Sequence, residues 1–248
     1  MCLGKLILEK FSHSASGDPA PEDSNAALAN LVEVFPQFLS LVQEKTILDF
    51  GCGKGYQSLA LAKTNAKHVQ GFDINEGHIK IASATAVKEN LSNRVSFNTI
   101  LSSQEQYDIV ISHNSFEHFD DPEEIFNKML GLVKPGGYIF ITFGPPWYSP
   151  YGAHMNFFTS IPWVHLLFSE RTVMTVRARY RNDNATKYTQ VTSGLNKLSV
   201  RKFFKIIKRS GVNIVYQRLD ALKKINFLSK IPLLRELFIT RVSVILKK

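Results

Sequence analysis

The 248-residue chain reads as an α/β protein with a doubly wound, mostly parallel sheet. Three observations point there. Apolar runs alternate with helix-period segments, the stretch Tyr107 to Ser112 holds the unbroken run Ile109-Val-Ile111 as in a parallel strand buried on both faces, and a glycine-rich turn follows the first apolar run. That turn, Asp49-Phe-Gly51-Cys52-Gly53-Lys-Gly55, is followed 18 residues later by Asp73, which closes a second apolar run. A strand stopping on such a turn brings bare backbone amides against a ligand at a helix N-terminus.

The glycine spacing narrows the ligand. A dinucleotide turn reads G-x-G-x-x-G, its third glycine serving helix packing beside a pyrophosphate. Here the glycines are two apart each time, with an acid two residues before the first. A carboxylate there repels a pyrophosphate and suits a cationic ligand. The turn resembles the first motif of the class I S-adenosylmethionine-dependent methyltransferases.

The elements follow in order. Residues 12–25, rich in Ser, Ala, Pro, Gly and Asp, read as a mobile lead-in, and Ala26 to Val42 as a helix with a kink at Pro36. After the turn, Tyr56 to Lys63 reads as a short helix and Lys67 to Asp73 as the second strand, with Asn75 to Asn90 helical beyond it. The terminal carboxylate of Asp73 is placed to accept both hydroxyls of a ribose; the alternative is a helix N-terminal acid favoured by the dipole. For Asp49 the alternative is a carboxylate that only ties down the loop. Arg94 to Asn98 and Tyr107 to Ser112 are the third and fourth strands. Asp121-Pro122-Glu-Glu124 starts a helix, with an N-cap acid and proline at its first position, which ends near Val133 before the fifth strand, Tyr138 to Phe143. Ser199 caps an amphipathic helix that stops before Gly211, and Val212 to Arg218 and Arg241 to Leu246 are the last two strands.

From Tyr107 to Phe143 the phrases Y-D-I-V-I-S-H-N-S-F-E-H-F-D-D-P and L-V-K-P-G-G-Y-I-F-I-T-F resemble later motifs of the same family, particularly its small-molecule, ubiquinone/menaquinone-methyltransferase-like branch. The resemblance covers residues 45 to 144 and implies a Rossmann-like seven-stranded sheet whose final strand is antiparallel. It implies S-adenosylmethionine as cofactor, with S-adenosylhomocysteine as product. Asp49, Gly51, Cys52, Gly53, Gly55 and Tyr56 then form the cofactor turn, Asp73 the ribose ligand and Ile74 an adenine neighbour, while His113 and Asn114 line the methionine portion. The chain departs from the family after the third strand. An acidic pair often meets the adenine amino group there, whereas Thr99 to Gln104 supplies none. The adenine contact is then expected from backbone groups, from Ile100 and Leu101 as apolar walls, or from a side chain such as Gln104.

The whole chain is expected to form one methyltransferase domain. Its parts are a lead-in and covering helix over 1–44, a cofactor core over 45–144, an acceptor-site insertion or lid over 145–198, and a C-terminal helix with the last strands over 199–248. The leading helix either covers the cofactor or simply packs on the sheet. The aromatic insertion follows the fifth strand, where open α/β sheets bind ligands, so Trp147, Tyr148 and Tyr151 are candidate acceptor contacts. Phe157, Phe158, Trp163 and Phe168 fit lid or core packing.

Methyl transfer from a sulfonium chiefly needs alignment and exclusion of water. A hydroxyl acceptor also gains from a base, for which histidine is suited. His13, His68 and His78 fall outside the expected methyl end and His165 sits in an apolar helical pattern. His154, in the loop leaving the fifth strand, is the first candidate base, and His118 the second. No metal-ligand set is expected. The acceptor is expected to be a small molecule, methylated at oxygen: a sugar, a polyketide-like compound or a quinone. An RNA methyltransferase and a cofactor-binding but silent regulatory subunit are the alternatives.

Charge is unevenly spread. Residues 1–170 hold 11 Lys and Arg against 18 Asp and Glu, and residues 171–248 hold 19 against 3. The basic third would steer anions: an anionic acceptor, an anionic membrane surface touched peripherally, or RNA. Against nucleic acid, many of these cations alternate with core apolar residues at helical spacing, as in Val200 to Arg209. No apolar run is long enough to span a bilayer, and the N-terminal residues lack a signal-peptide pattern. With only Cys2 and Cys52, a cytoplasmic setting is expected.

Overall fold

The computed structural model describes residues 3–13, 23–102, 104–191, 195–222, 227–229, 231 and 234–248. Most of the expected lead-in, together with Cys2 and Ser103, lies outside the described residues. Three helices come first: α1 (Leu3–Lys10), α2 (Ser24–Val34) and α3 (Phe38–Leu41). The expected single helix from Ala26 to Val42 is thus two. Pro36 lacks an amide donor and disfavours helical backbone before it, and Phe35 takes φ −123° and ψ 88°. The chain therefore breaks there rather than kinking.

Alternating elements build the core: β1 (Thr46–Phe50), α4 (Tyr56–Ala62), β2 (His68–Phe72), α5 (Glu76–Lys88), β3 (Val95–Asn98), β4 (Tyr107–His113), α6 (Pro122–Leu132) and β5 (Val133–Phe143). The insertion adds α7 (Val164–Leu167) and α8 (Glu170–Arg177), and α9 (Val200–Ser210), β6 (Asn213–Ala221), α10 (Arg235–Phe238) and β7 (Ile239–Lys247) close the chain. The fifth strand begins five residues before the expected Tyr138, because Gly136 N–H and the Gly137 carbonyl pair with Lys248. The final pair of strands is likewise longer than the pattern indicated.

The sheet has seven strands in the order β3-β2-β1-β4-β5-β7-β6. Neighbours from β3 to β5 run parallel, and β7 runs antiparallel to both β5 and β6. Strand order reverses between β1 and β4. Ligands bind in the crevice at such a point, beyond the carboxyl ends of the strands. Gly51 leaves β1 there, and Asn114 follows β4.

Alternation along the strands feeds two cores. Ile47, Val69, Ile109, Ile111 and Phe140 face α2 to α5, where Phe140 meets Phe35 and Phe38 edge-on at ring centroid distances of 5.1 and 5.5 Å. Leu48, Phe50, Phe72, Val110, Ile139 and Phe143 face α6 and α9. The β3–β4 connection carries no helix among its described residues. A third core belongs to the insertion, where Trp147, Phe158, Val173, Val176 and Tyr188 pack with Leu8 of α1.

The turn's last glycine is sterically required. Gly55 has φ +80°, and a Cβ there would lie 2.7 Å from Ala82 Cβ and 2.8 Å from Phe97. Gly53, at φ +53°, has nothing within 4 Å of such a Cβ. Both alanine variants carry the left-handed cost of about 1–2 kcal/mol, and overpacking adds about 1–3 kcal/mol at position 55 alone. Urea unfolding should rank Gly55→Ala below Gly53→Ala by at least about 1 kcal/mol; equal midpoints would contradict this packing.

Candidate functional site

The glycine turn is held down by its own amides. Gly51 N–H and Cys52 N–H donate to the Phe72 carbonyl at 2.8 and 2.9 Å, and Gly55 N–H to Cys52 O at 3.0 Å. Gly53 N–H donates to Asp73 Oδ2 at 2.9 Å, and Asn75 N–H to Asp73 Oδ1 at 2.8 Å. The amides of Gly51, Cys52, Gly53 and Gly55 are therefore spent inside the fold. A turn whose donors are used offers acceptors instead, which suits a cation better than a phosphate.

Asp49 lies beneath the turn. Alternation along β1 puts it on the face of Ile47, toward α4, where it is 2 % exposed and accepts hydrogen bonds from Gln57 Nε2 at 2.9 Å and Ser58 Oγ at 2.6 Å. Burial pushes its carboxyl up to about 7, against the pull of the Ser58 and Gln57 bonds. Its visible contacts are those of the loop-tying alternative. Burial likewise pushes the Cys52 thiol far above its usual range, so the group is neutral.

Two cavities meet at Gly51. One, of about 390 Å³, is lined by Ala27 of α2, residues 51–54, Tyr56, Gln57, His78, His113 and Asn114. The other, of about 300 Å³, lies between β2 and α6. Its walls are Phe50, Phe72, Ile74, Phe119 and Ile125; Asp73 and His118 also line it, with Asp120, Asp121, Glu124 and Lys128. Ile74 is 85 % exposed, an open apolar wall beside a carboxylate. Ile100 is 81 % exposed and Leu101 packs on the core under α6, and neither lines these cavities. Phe119, Ile125 and Ala27 were not anticipated.

The histidines divide by environment. His113 Nδ1 lies 2.7 Å from Thr142 Oγ1, and burial, with the Arg241 charge secondary, holds the ring down at about 4. His118 and His154, far apart in sequence, have ring centroids 5.3 Å apart in an edge-on arrangement. Burial and then the His118 charge lower His154 to about 4, opposed by the Pro145 backbone carbonyl. Its Nε2 is buried and has no hydrogen-bond partner among the described residues. Glu117, 4 % exposed, accepts from Gly144 N–H at 3.1 Å, which ties the turn after β4 to the chain leaving β5. Its carboxyl is pushed up by burial, opposed by the His118 charge. Asn196 Nδ2 donates to Phe116 O and Phe119 O at 2.9 and 2.8 Å and so clamps the same turn. Asn196 carried no sequence signal, because its role depends on the insertion folding back.

The aromatic candidates separate. Trp147 sits in the insertion core against His165 and Tyr188, at centroid distances of 4.6 and 5.1 Å. Tyr148 and Tyr151 are exposed. Among the described residues, no group of three or more His, Cys, Asp or Glu is arranged to hold a metal.

Comparison with known proteins agrees with this geometry. The methyltransferase domain model matches residues 24–167. The chain belongs to the class I S-adenosylmethionine-dependent methyltransferases. It is 35% identical over 117 residues to the ubiquinone biosynthesis O-methyltransferase of Hydrogenovibrio crunogenus (45% of this chain, 47% of that protein). The namesake protein from Bordetella avium is 31% identical over 145 residues, 54% of this chain and 59% of its own length. The chain thus spans about half the length of the curated relatives it matches. Solved structures share the fold. An S-adenosylmethionine-dependent methyltransferase from Mesorhizobium loti superposes with TM-score 0.58 at 16% identity, covering 90% of this chain and 98% of its own. Coclaurine N-methyltransferase bound to N-methylheliamine and S-adenosylhomocysteine gives 0.57 at 14%, over 98% and 81%.

For this methyltransferase, S-adenosylmethionine fits the residues present: an acceptor-rich turn for a cation and a carboxylate, Asp73, between apolar walls. The Asp49 carboxyl has a consequence for stability. Its value is raised from 3.8 to about 7 in the fold, so its protonated form is favoured; that contribution is complete below the unfolded value and is lost as pH rises through the folded one. Urea unfolding between about pH 5 and about pH 8 should show wild type losing on the order of 2 kcal/mol relative to Asp49→Asn. Parallel pH dependence of the two proteins would refute the assignment.

Proposed function

We propose that this protein transfers a methyl group from S-adenosylmethionine to a hydroxyl of a small molecule, with a quinone-type acceptor favoured over a sugar or polyketide-like one. The observation that carries the reading is the bipartite cleft at the strand switch point, with Asp73 on one side of Gly51 and His113 with Asn114 on the other. The names of the curated relatives support oxygen as the methylated atom and a quinone precursor as the class of acceptor.

Asp73 holds the ribose hydroxyls by charge-assisted hydrogen bonds. The apolar walls at Phe72, Ile74, Phe119 and Ile125 enclose the adenine, in place of the Ile100 and Leu101 pairing. Carbonyl oxygens of the glycine turn and the Gln57 side chain, backed by Asp49, accept from the ammonium. When bound, the cofactor supplies an electrophilic methyl on a sulfonium. The protein aligns the acceptor with that methyl and excludes water. His154 is neutral near pH 7, and its unpartnered Nε2 lone pair suits it to accept the proton of the acceptor hydroxyl. Glu117 and Asn196 hold His118 beside it.

Two experiments test the reading. Asp73→Ala removes two hydrogen bonds worth about 1.5–3 kcal/mol each, so calorimetry should show S-adenosylhomocysteine binding at least about tenfold weaker in a folded variant. Unchanged affinity would remove Asp73 from the ribose site. His154→Ala should lower turnover of a hydroxyl acceptor by about a hundredfold with cofactor affinity nearly intact, and the loss should shrink at high pH as the acceptor ionises unaided. Because burial holds His154 near 4, wild-type kcat/KM should stay level down to about pH 5. Full activity in His154→Ala would transfer the role to His118. Labelled methyl appearing in RNA instead of a small acceptor would reject the substrate class.

A further inference from the structure

Helix α1 is amphipathic in the reverse sense for a surface helix. Leu8 is buried with the insertion core, while Leu3 and Phe11 are 71 % and 58 % exposed, and Leu6 and Ile7 are also exposed. These four fall on one stripe of the helix, since residues three and four apart share a face. The stripe continues onto neighbouring elements. A Cβ on Gly4 would lie 3.3 Å from the Phe168 ring at the end of α7, and α7 itself exposes Leu166 and Leu167, the latter by 65 %. Trp163, at the start of α7, packs edge-on against Phe238 of α10 at 5.9 Å, and Phe227 and Ile231 in the segment before α10 are exposed as well.

Charge around this face is one-sided. Lys10, Arg171 and Arg235 are exposed and enter no ion pair among the described residues, whereas the acids of the same elements are engaged within the protein. Glu9 pairs with Arg179 and Lys5, Glu170 accepts from Tyr188 N–H and pairs with Lys197, and Glu236 accepts from Val200 N–H and Arg201 N–H. The stretch between α1 and α2, residues 14–22, contains no Leu, Ile, Val, Met or aromatic residue, so it offers no apolar cover for the stripe. A second copy seated on this face would bring the exposed Lys10, Arg171 and Arg235 of both copies to one interface.

We propose that the apolar stripe of α1, with α7, Phe227 and Ile231, docks the protein on an anionic membrane surface. Exposed Leu, Ile and Phe beside exposed Lys and Arg is the combination that buries into the headgroup boundary of a negatively charged leaflet. Tyr148 and Tyr151 are exposed in the same insertion, and Trp163 Nε1 donates to Tyr148 O at 3.1 Å. The membrane thus lies next to the segment that follows β5. The proposal does not depend on which acceptor is methylated.

Vesicle co-sedimentation tests it with the full chain. Wild type should sediment with mixed phosphatidylcholine–phosphatidylglycerol vesicles, far less with pure phosphatidylcholine, and less in high salt. The triple variant Leu6→Ser, Ile7→Ser, Phe11→Ser alters only exposed side chains and should lower partitioning at least about tenfold, with S-adenosylhomocysteine affinity unchanged. Leu166→Ser with Leu167→Ser should weaken it separately. Wild type staying in the supernatant with anionic vesicles, or the α1 variant sedimenting like wild type, would overturn the proposal. A solution dimer that the α1 variant dissolves, without vesicle binding, would overturn it in favour of a second copy.

Discussion

The site depends on how the turn after β1 is bolted to the end of β2. Three consecutive amides, those of Gly51, Cys52 and Gly53, end on the Phe72 carbonyl and the Asp73 carboxylate. Each such bond is modest by itself, at about 1 kcal/mol net. Together they set the glycine turn and the Asp73 carboxylate in one rigid unit before any ligand arrives. That arrangement spends donors and leaves acceptors, and so the turn favours a cation. It also fixes Gly51 as the point where both cavities meet. Pre-organisation of this sort spares the ordering cost that a loose loop would charge against binding.

Period-two alternation in the strands distributes the remaining roles. On β1, Asp49 turns toward α4 while Phe50 turns toward α6, so one strand end supplies a buried carboxyl behind Gln57 and an aromatic wall. Phe72 at the end of β2 joins Phe50 on the α6 side, where the β3–β4 connection provides no covering helix among its described residues. The same sheet ends bring together the chains leaving β4 and β5. Glu117 and Asn196 tie those chains, and His118 meets His154 as a result.

Local signals were legible in the sequence and long-range ones were not. The glycine spacing, Asp73 at the close of an apolar run, the Asp121-Pro122 helix start and the Ser199 cap are all decided within a few residues, and each has its counterpart in the fold. Pro36 is legible as a disruption, and Phe35 leaving helical backbone before it shows that it ends the helix rather than bending it. Ile100 and Leu101 are expected as adenine walls from their position after β3, and the cavity over Phe50 and Phe72 is lined by Phe119 and Ile125, which only the tertiary arrangement reveals. The His118–His154 contact and the inverted face of α1 likewise arise from the insertion folding back, an event with no local spacing to announce it.

The most direct test of the account is a crystal structure with S-adenosylhomocysteine. The ribose hydroxyls should lie on the Asp73 carboxylate, the adenine among Phe72, Ile74, Phe119 and Ile125, and the amino-acid end between the glycine turn and His113. A ligand whose ribose lies away from Asp73, or whose adenine stacks on Ile100 outside that cavity, would contradict it.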